Sequence, residues 1–341
     1  MAVVAGLCAI AAAVYVYRHH RPLRGASAGA APELLSQLPS DAPAIGYVNV
    51  AALRELRNSP LAAVLGLTSP GPAADREYAE FVRETGFDYT RDLDRVALAA
   101  WPQSFAAPQG GIGDNRVLAI ADGRFDEKKI QAYALRTGKM ALRGLQSYYI
   151  VPGIPPVSLA FLSLGRIAVA SGKDADRLVA VHESSTRDAV MEARIARVAG
   201  APLFAVARTD HLPASFYANF SNSPQLERLV RSVRGLSLAG QPDADNIKLA
   251  LDAECDSMSN ALQLATLLDI LRMSSTIALA DPKTRRQMTK PQAALLDSLV
   301  HRLKITHQDV WVRLTLDVTP EMLGTSLREP SAVLLWPNSS R

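Results

Sequence analysis

Apolar and polar side chains alternate most regularly near the end of the chain, over residues 310–317. Val310, Val312, Leu314 and Leu316 occupy every second position, with polar or amphipathic residues between them. Successive side chains of a β-strand point to opposite faces, so this pattern puts one face on a core and the other towards water. Half-covered strands of this kind are typical of antiparallel sheets. The sequence therefore predicts an antiparallel sheet that is covered on one face.

Shorter apolar runs predict further strands, and the spacing of four leucines predicts a long helix. The strands are expected at 44–50, 95–100, 116–121, 148–152, 157–164, 166–171 and 203–207. Leu264, Leu267, Leu268 and Leu271 recur at helical spacing, which predicts a helix over 257–272 with an apolar stripe on the sheet. Other helices are expected over 175–183 and 292–303.

Two stretches of the chain carry the same markers in the same order. The first stretch has Ala42-Pro43, Leu98-Ala99 and Asp114-Asn115. The second stretch has Ala201-Pro202, Leu238-Ala239 and Asp245-Asn246. Each stretch leads to an aspartate, Asp126 or Asp256, that is expected to cap the first turn of a helix. Repeated markers of this kind predict a duplicated unit.

These patterns together predict an α+β fold of two related units, each an antiparallel sheet with packed helices, preceded by an N-terminal transmembrane helix. The expected divisions are a transmembrane anchor with its basic flank at 1–24, a linker at 25–39, a first unit at 40–190, a second unit at 200–328 and a tail at 329–341. Small residues and proline dominate the start of the linker, as is typical of a spacer between a bilayer and a folded body.

The predicted anchor is uncharged from Ala2 to Tyr17 and is followed by Arg18, Arg21 and Arg24. A helix of this length reaches about 24 Å, which is short of the roughly 30 Å hydrocarbon core, and snorkelling of Arg18 can supply the remainder. We expect an uncleaved single-pass anchor that contacts the membrane through residues 2–17. A cleaved signal peptide is the alternative, because Ala26-Ser27-Ala28 has the small residues of a cleavage site.

Charge and cysteine content exclude two classes of protein. The net charge is +4, but three of the 37 basic residues flank the anchor, which leaves 34 basic against 33 acidic residues. This balance predicts no nucleic-acid partner. The two cysteines are Cys8, inside the apolar segment, and Cys255, so no disulfide framework is expected in the body. Cys255 is expected to be a buried structural thiol.

Two candidate catalytic or nucleotide motifs fail at specific positions. Ser163 lies in FLSLG, where Phe161 replaces the first glycine of a nucleophile elbow, so a strand serine is expected. The glycines at 110, 111 and 113 have neither the Lys-Ser/Thr pair nor the spacing of a phosphate-binding loop. A hairpin tip explains them better.

Candidate metal ligands do not have the spacing that a metal site needs. His182-Glu183 has Thr186 where a zinc protease has its second histidine. His301 and His307 are six residues apart, and the Asp243-x-Asp245 start of a calcium loop has Ile247 at the third ligand position.

The carboxylate pairs Asp92/Asp94 and Asp174/Asp176 are candidates for acid–base chemistry, but both lie in polar connections beside basic residues. The sequence therefore predicts no catalytic, cofactor-binding or metal-binding residues and no cofactor.

Two phrases, LPSDAPAIGYVNVAALRE at 38–55 and FVRETGFDYTRDLDRVALA at 81–99, follow an apolar segment and a small-residue linker. In this combination the chain resembles uncharacterised single-pass membrane-anchored bacterial envelope proteins, domains of unknown function that open with a similar proline, Asp-Ala-Pro, strand entry. The resemblance implies a bacterial source, an inner-membrane anchor and a body outside the cytoplasm. It brings no catalytic residues. The positive-inside rule applied to the three arginines favours the opposite orientation, so both remain open here.

The expected function is that of a non-enzymatic envelope protein, a binding or interaction module for another protein or an apolar ligand. Two alternatives remain. A hydrolase could have an active site that no linear motif reveals, and it would show polar side chains converging in one cleft. A structural spacer between membrane and wall would show sheets without pockets.

Overall fold

The computed structural model describes most of the chain after the predicted anchor. The described residues are 30–54, 76–101, 116–152, 156–171, 175, 179, 187–211, 217, 223–243, 246–286 and 288–322. Several features of the sequence analysis lie outside these residues: the predicted anchor, the glycines at 110, 111 and 113, His182-Glu183, the Asp174/Asp176 pair, Asp245 and the predicted tail.

Twelve antiparallel strands of the described residues form a single sheet, which confirms the α+β class with a large antiparallel sheet. Their bounds are β1 Ala44–Asn49, β2 Leu93–Trp101, β3 Arg116–Gly123, β4 Lys139–Arg143, β5 Gln146–Val151, β6 Val157–Ser163, β7 Arg166–Ser171, β8 Leu203–Arg208, β9 Val233–Asp243, β10 Asn246–Cys255, β11 Lys304–Gln308 and β12 Trp311–Val318. Their order across the sheet is β11-β12-β10-β9-β8-β1-β2-β3-β7-β6-β5-β4.

Ten α-helices accompany the sheet in the described part of the chain. Their bounds are α1 Ala30–Ser36, α2 Val50–Arg54, α3 Arg76–Thr85, α4 Tyr89–Asp92, α5 Glu127–Thr137, α6 Ala189–Val198, α7 Pro224–Arg231, α8 Met258–Ala280, α9 Pro282–Arg286 and α10 Lys290–Arg302. A short 3-10 turn, Thr209–His211, follows β8.

The strands of the two predicted units meet at β1 and β8, in the interior of the sheet. Gly46 lies opposite Ala205 in this antiparallel pair. Beyond the paired strands, the backbone N–H of Asn49 donates to the carbonyl oxygen of Pro202 at 2.7 Å, and that of Arg208 donates to Pro43 at 2.8 Å. One hydrogen-bonded sheet therefore runs through both units.

Helices cover both faces of the sheet near its middle, which differs from the half-covered sheet that the sequence predicts. On one face α3 and α5 pack over β1 to β7, and α7, α8 and α10 pack over β9 to β12. On the other face α1 and α6 enclose Phe204 and Leu118. The prediction holds at β12, where Val312 is buried and Arg313 is half-exposed.

Three boundaries differ from the sequence prediction. The predicted linker contains α1, because Leu34, Leu35 and Leu38 provide an apolar face that becomes buried against the sheet. The cap of α8 is Ser257 rather than Asp256, and its side chain accepts from the N–H of Asn260. The helix predicted over 257–272 continues to residue 280, because only Pro282 interrupts the helical sequence.

Helix α6 fills the gap between the two predicted units, and buried arginines join this region to the predicted linker and to the second unit. Arg187, just before α6, donates to the carbonyl oxygens of Leu35 and Leu38. Arg194 donates from Nε to Glu254 on β10 at 2.6 Å. Its guanidinium lies so close to Gly235 that a Cβ at that position would overlap it. This helix was not predicted from the sequence.

Candidate interaction surface

Helix α8 is the longest helix of the described residues, and its two ends are well defined. The hydroxyl of Ser257 accepts from the N–H of Asn260 at 3.2 Å, which satisfies one of the free donors of the first turn. At the other end the N–H of Asp281 donates to Ala278, and Pro282 follows. The helix has 23 residues and a length of about 35 Å.

The inner side of α8 packs on the sheet as the leucine spacing predicts. Ala261, Leu264 and Ala265 are buried in a cluster with Val312 and Ala253, and Leu267 and Leu268 pack against it. Burial of this stripe fixes the helix over β10, β12 and β11, so α8 cannot leave the sheet without exposing a core.

The outer side of α8 is apolar as well, although it faces solvent. Five large side chains on it are between 50% and 73% exposed: Met258, Leu262, Ile270, Met273 and Ile277. At 3.6 residues per turn they fall within an arc of about 120°. The charged residues of the helix, Asp269 and Arg272, pair with each other at 2.8 Å. We call the five residues the α8 apolar surface.

The length and composition of α8 satisfy the requirement for a membrane span, and it is the one such helix among the described residues. Its mean hydropathy is 1.3, and only 17% of the window is buried. The core helix of a soluble protein can meet the same requirement, but such a helix is mostly buried. A helix that is apolar on all sides is ordinarily covered on all sides.

A basic segment follows α8 directly. Residues 281–290 contain Lys283, Arg285, Arg286 and Lys290 against a single acid, Asp281. Arg285 donates from Nε to the carbonyl oxygen of Leu279 at 2.6 Å, which ties α9 to the end of α8. The other three basic residues are exposed. We call residues 281–290 the basic segment.

A second polar cluster lies on the opposite face of the sheet, where a shallow cavity of about 250 Å³ is lined by Asp252, Arg313, Arg197 and Trp311. Asp252 is buried and accepts from both Nε and Nη2 of Arg313 at 2.6 Å. Arg197 lies 3.8 Å from the same carboxylate and 4.0 Å from the ring centre of Trp311. Both oxygens of this carboxylate therefore accept hydrogen bonds from Arg313, and Arg197 is a second ion-pair partner.

The structure gives Cys255 the buried position that the sequence predicts. Burial raises the pKa of its thiol to about 11, and the negative charge of Asp256 adds to the effect. A thiol of this kind is protonated at neutral pH and is a poor nucleophile. Ser163 lies at the exposed end of strand β6, in agreement with a strand serine.

The carboxylates of Asp92 and Asp94 are bound by different arginines rather than brought together. Asp94 accepts from Nη2 of Arg54 at 2.7 Å. Burial tends to raise the pKa of Asp92, but hydrogen bonds from Arg91 and the Asp88 backbone, with the charge of Arg124, lower it below the ordinary value. Both carboxylates therefore serve as ion-pair partners in this region.

The potential metal ligands of the described residues do not cluster. No group of three or more His, Cys, Asp or Glu side chains there is arranged to hold a metal ion. His301 lies on α10, with Nδ1 2.8 Å from the carbonyl oxygen of Asp297, and His307 lies on strand β11.

The α8 apolar surface was not predicted from the sequence. The inner leucines were predicted to be core, which is correct for Leu264. The available signal was the continuation of apolar residues beyond Leu271 and around the whole helix, at Met273 and Ile277. Such a helix cannot expose a purely polar side.

Comparison with known proteins found no family model and no curated protein that matches the chain. Solved structures of TP0453 are similar to it at low identity. Crystal form IV has 12% sequence identity and a TM-score of 0.45, over 88% of this chain and 99% of that chain. Crystal form III has 12% identity and a TM-score of 0.43, over 86% and 96%. Crystal form I has 13% identity and a TM-score of 0.43, over the same shares.

Proposed function

We propose that this chain is a membrane-anchored envelope protein that acts by binding, through the α8 apolar surface, rather than by catalysis. The observation that carries the proposal is a 23-residue helix whose outer side exposes five large apolar residues. Contiguous exposed apolar surface on a folded protein marks interaction sites, because water contact with it is unfavourable. The buried thiol of Cys255 and the carboxylate of Asp252, which is paired with Arg313, fit a protein that acts by binding.

The anchor of this proposal is the uncharged segment from Ala2 to Tyr17, with the membrane as its partner. We place the protein in the inner membrane as a single-pass protein, with its body outside the cytoplasm. The length of the apolar run, its basic flank and the linker residues after it support the anchor, whereas the orientation of the body rests on the resemblance to envelope proteins.

We further propose that the body arose by duplication of one unit. The two units have the same strand order when each is followed outward from the central β1–β8 pair. The order is β1-β2-β3-β7-β6 in the first unit and β8-β9-β10-β12-β11 in the second. Leu98 pairs with Gly46, and Leu238 pairs with Ala205, which occupies the corresponding place in the second unit. The first unit additionally has β4 and β5, where the second has α9 and α10.

Methionine oxidation in intact cells tests whether the α8 apolar surface is occupied. Met258, Met273 and Met140 are about equally exposed, and Met140 lies on β4, away from α8. We expect Met258 and Met273 to be oxidised at least about fivefold more slowly than Met140 in cells, and all three at equal rates in denatured protein. Mass spectrometry measures the three rates. Equal oxidation of the three in intact cells would contradict binding at this surface.

Two fractionation measurements test the anchor and the orientation. The full chain should stay with the membrane pellet after alkaline carbonate treatment, and its release would contradict the anchor. A C-terminal tag should be cleaved by protease in cells stripped of their outer layers. Protection of the tag until lysis would place the body in the cytoplasm.

A further inference from the structure

We propose that the occupant of the α8 apolar surface is the surface of an anionic lipid bilayer, with the basic segment on the lipid phosphates. This inference rests on the proposed binding role of α8 and names its partner. In this arrangement α8 lies in the plane of the interface, and its five exposed apolar residues enter the boundary between headgroups and acyl chains.

The packing of α8 decides between lying on a bilayer and crossing it. Leu264, Ala265 and Ala261 are buried against the sheet, and Leu279 is buried near the other end of the helix. Crossing would pull this whole stripe off β10 and β12 and expose both sides of the core. The outer side alone is free to enter lipid, over the whole length of about 35 Å.

The charge distribution selects a negatively charged partner. Residues 281–304 contain six Lys or Arg against two Asp. Lys283 and Arg286 are exposed on α9, which begins two residues after α8 ends. Long basic side chains can place their charge at the headgroup level while the neighbouring helix is buried in the interface. Anionic leaflets attract such segments in addition to the apolar contact.

The same observations disfavour a protein partner. The outer side of α8 has the uncharged polar residues Ser259, Gln263, Thr266 and Ser274. Its one charge there, Asp269, is half-exposed and is paired with Arg272 at 2.8 Å. These side chains provide no charge pattern with which to select one protein. A symmetric contact of α8 with a second copy of this chain would bring a second basic segment of the same sign to the same interface.

Depth-dependent fluorescence quenching tests the contact on the full chain reconstituted in vesicles. Ile277→Trp places a tryptophan on the α8 apolar surface, and Leu145→Trp places one on the fully exposed β4–β5 turn as a matched control. The unsubstituted chain, measured in the same vesicles, gives the fluorescence of the three natural tryptophans, and this signal is subtracted. The vesicles have brominated acyl chains and either phosphatidylcholine alone or phosphatidylcholine with phosphatidylglycerol.

The proposal expects strong quenching at position 277 in the phosphatidylglycerol vesicles, at least about threefold weaker quenching in phosphatidylcholine, and little at position 145. Lys283→Gln with Arg286→Gln should reduce quenching at 277 in the anionic vesicles to the phosphatidylcholine level. Lys128→Gln with Lys139→Gln removes the same charge from elsewhere on the surface and should leave the quenching unchanged.

Two results would overturn the inference. Equal quenching at 277 and 145 in both vesicles would exclude the bilayer as the partner, while protection of Met258 and Met273 in cells would still support a binding role for α8. Equal quenching at 277 in both vesicles, unaffected by the basic substitutions, would show that lipid charge does not matter. Loss of methionine protection in cells would instead overturn the proposed function itself.

Discussion

Arg313 on β12 donates two hydrogen bonds of 2.6 Å to the two carboxylate oxygens of Asp252 on β10. The pair lies on the face of the sheet opposite α8 and joins neighbouring strands of the second unit. Asp252 is buried, whereas Arg313 is half-exposed. Because a buried carboxylate needs a cation, Arg313 holds β12 in register through its side chain as well as through its backbone.

Arg313→Met should destabilise the protein by about 2 kcal/mol. Removal of one partner of a fully buried pair costs roughly 3–5 kcal/mol, and the expected cost is smaller because Arg313 is half-exposed and Arg197 remains 3.8 Å from Asp252. Urea denaturation measures the change in unfolding free energy. Arg272→Met, which breaks the partly exposed pair with Asp269 on α8, is the control and should cost under about 0.5 kcal/mol. A cost for Arg313→Met as small as that of the control would contradict this role.

Asp92→Asn should destabilise the protein at neutral pH and lose its effect in acid. The pKa of Asp92 is lower in the folded than in the unfolded chain, because hydrogen bonds and charges of Arg91 and Arg124 outweigh burial. The charged form therefore stabilises the fold above the ordinary aspartate pKa of about 3.9, and this contribution disappears as the pH falls through the folded pKa. Urea midpoints of both proteins between neutral and acidic pH should converge. A constant difference would argue against the charge as the cause.

Strand positions were predictable from the sequence because local alternation determines them. The run at 166–171 is β7 with the predicted bounds, and residues 203–207 lie within β8. The continuous sheet was not predictable, because the β1–β8 pairing joins residues more than 150 positions apart. Helices α1 and α6 were not predictable either, because their burial depends on contacts such as those of Arg187 with Leu35 and Leu38.

The candidate interaction surface was only half predictable. The leucine spacing correctly predicts the side of α8 that packs on the sheet at Leu264, Leu267 and Leu268. The exposure of Ile277 and Met273 depends on what the rest of the fold leaves uncovered, and periodicity cannot show that. The sequence of an apolar helix is the same whether other elements cover its second side or leave it exposed to solvent.

Cys255 should react slowly with alkylating agents in the folded protein. A pKa of about 11 leaves about a hundredfold less thiolate near pH 8 than an ordinary cysteine has, and burial limits access further. In Cys8→Ser, Cys255 is the remaining cysteine. Iodoacetamide labelling, followed by mass spectrometry, should become fast only when urea unfolds the chain. Rapid labelling of the folded protein would show an accessible, activated thiol and would reopen a catalytic interpretation.

Phe204 lies at the junction of the two units and provides a test of whether they unfold together. It is fully buried, and its ring stacks on Tyr47 of β1 with 5.4 Å between ring centres. Phe204→Ala should cost roughly 3–5 kcal/mol, because a large side chain leaves a cavity between β8 and its neighbours. Val190→Ala, at an exposed position on α6, is the control and should cost little.

Because the two units share one continuous sheet, they should unfold together. All proteins in this experiment carry Trp336→Phe. Adding Trp311→Phe leaves Trp101 on β2 as the reporter of the first unit, and adding Trp101→Phe instead leaves Trp311 on β12 as the reporter of the second unit. Because the β1–β8 pairing couples the units, Phe204→Ala should move both fluorescence transitions to lower urea by the same amount. Two separate transitions, with only the Trp311 transition shifted, would show that the units are energetically independent despite their shared sheet.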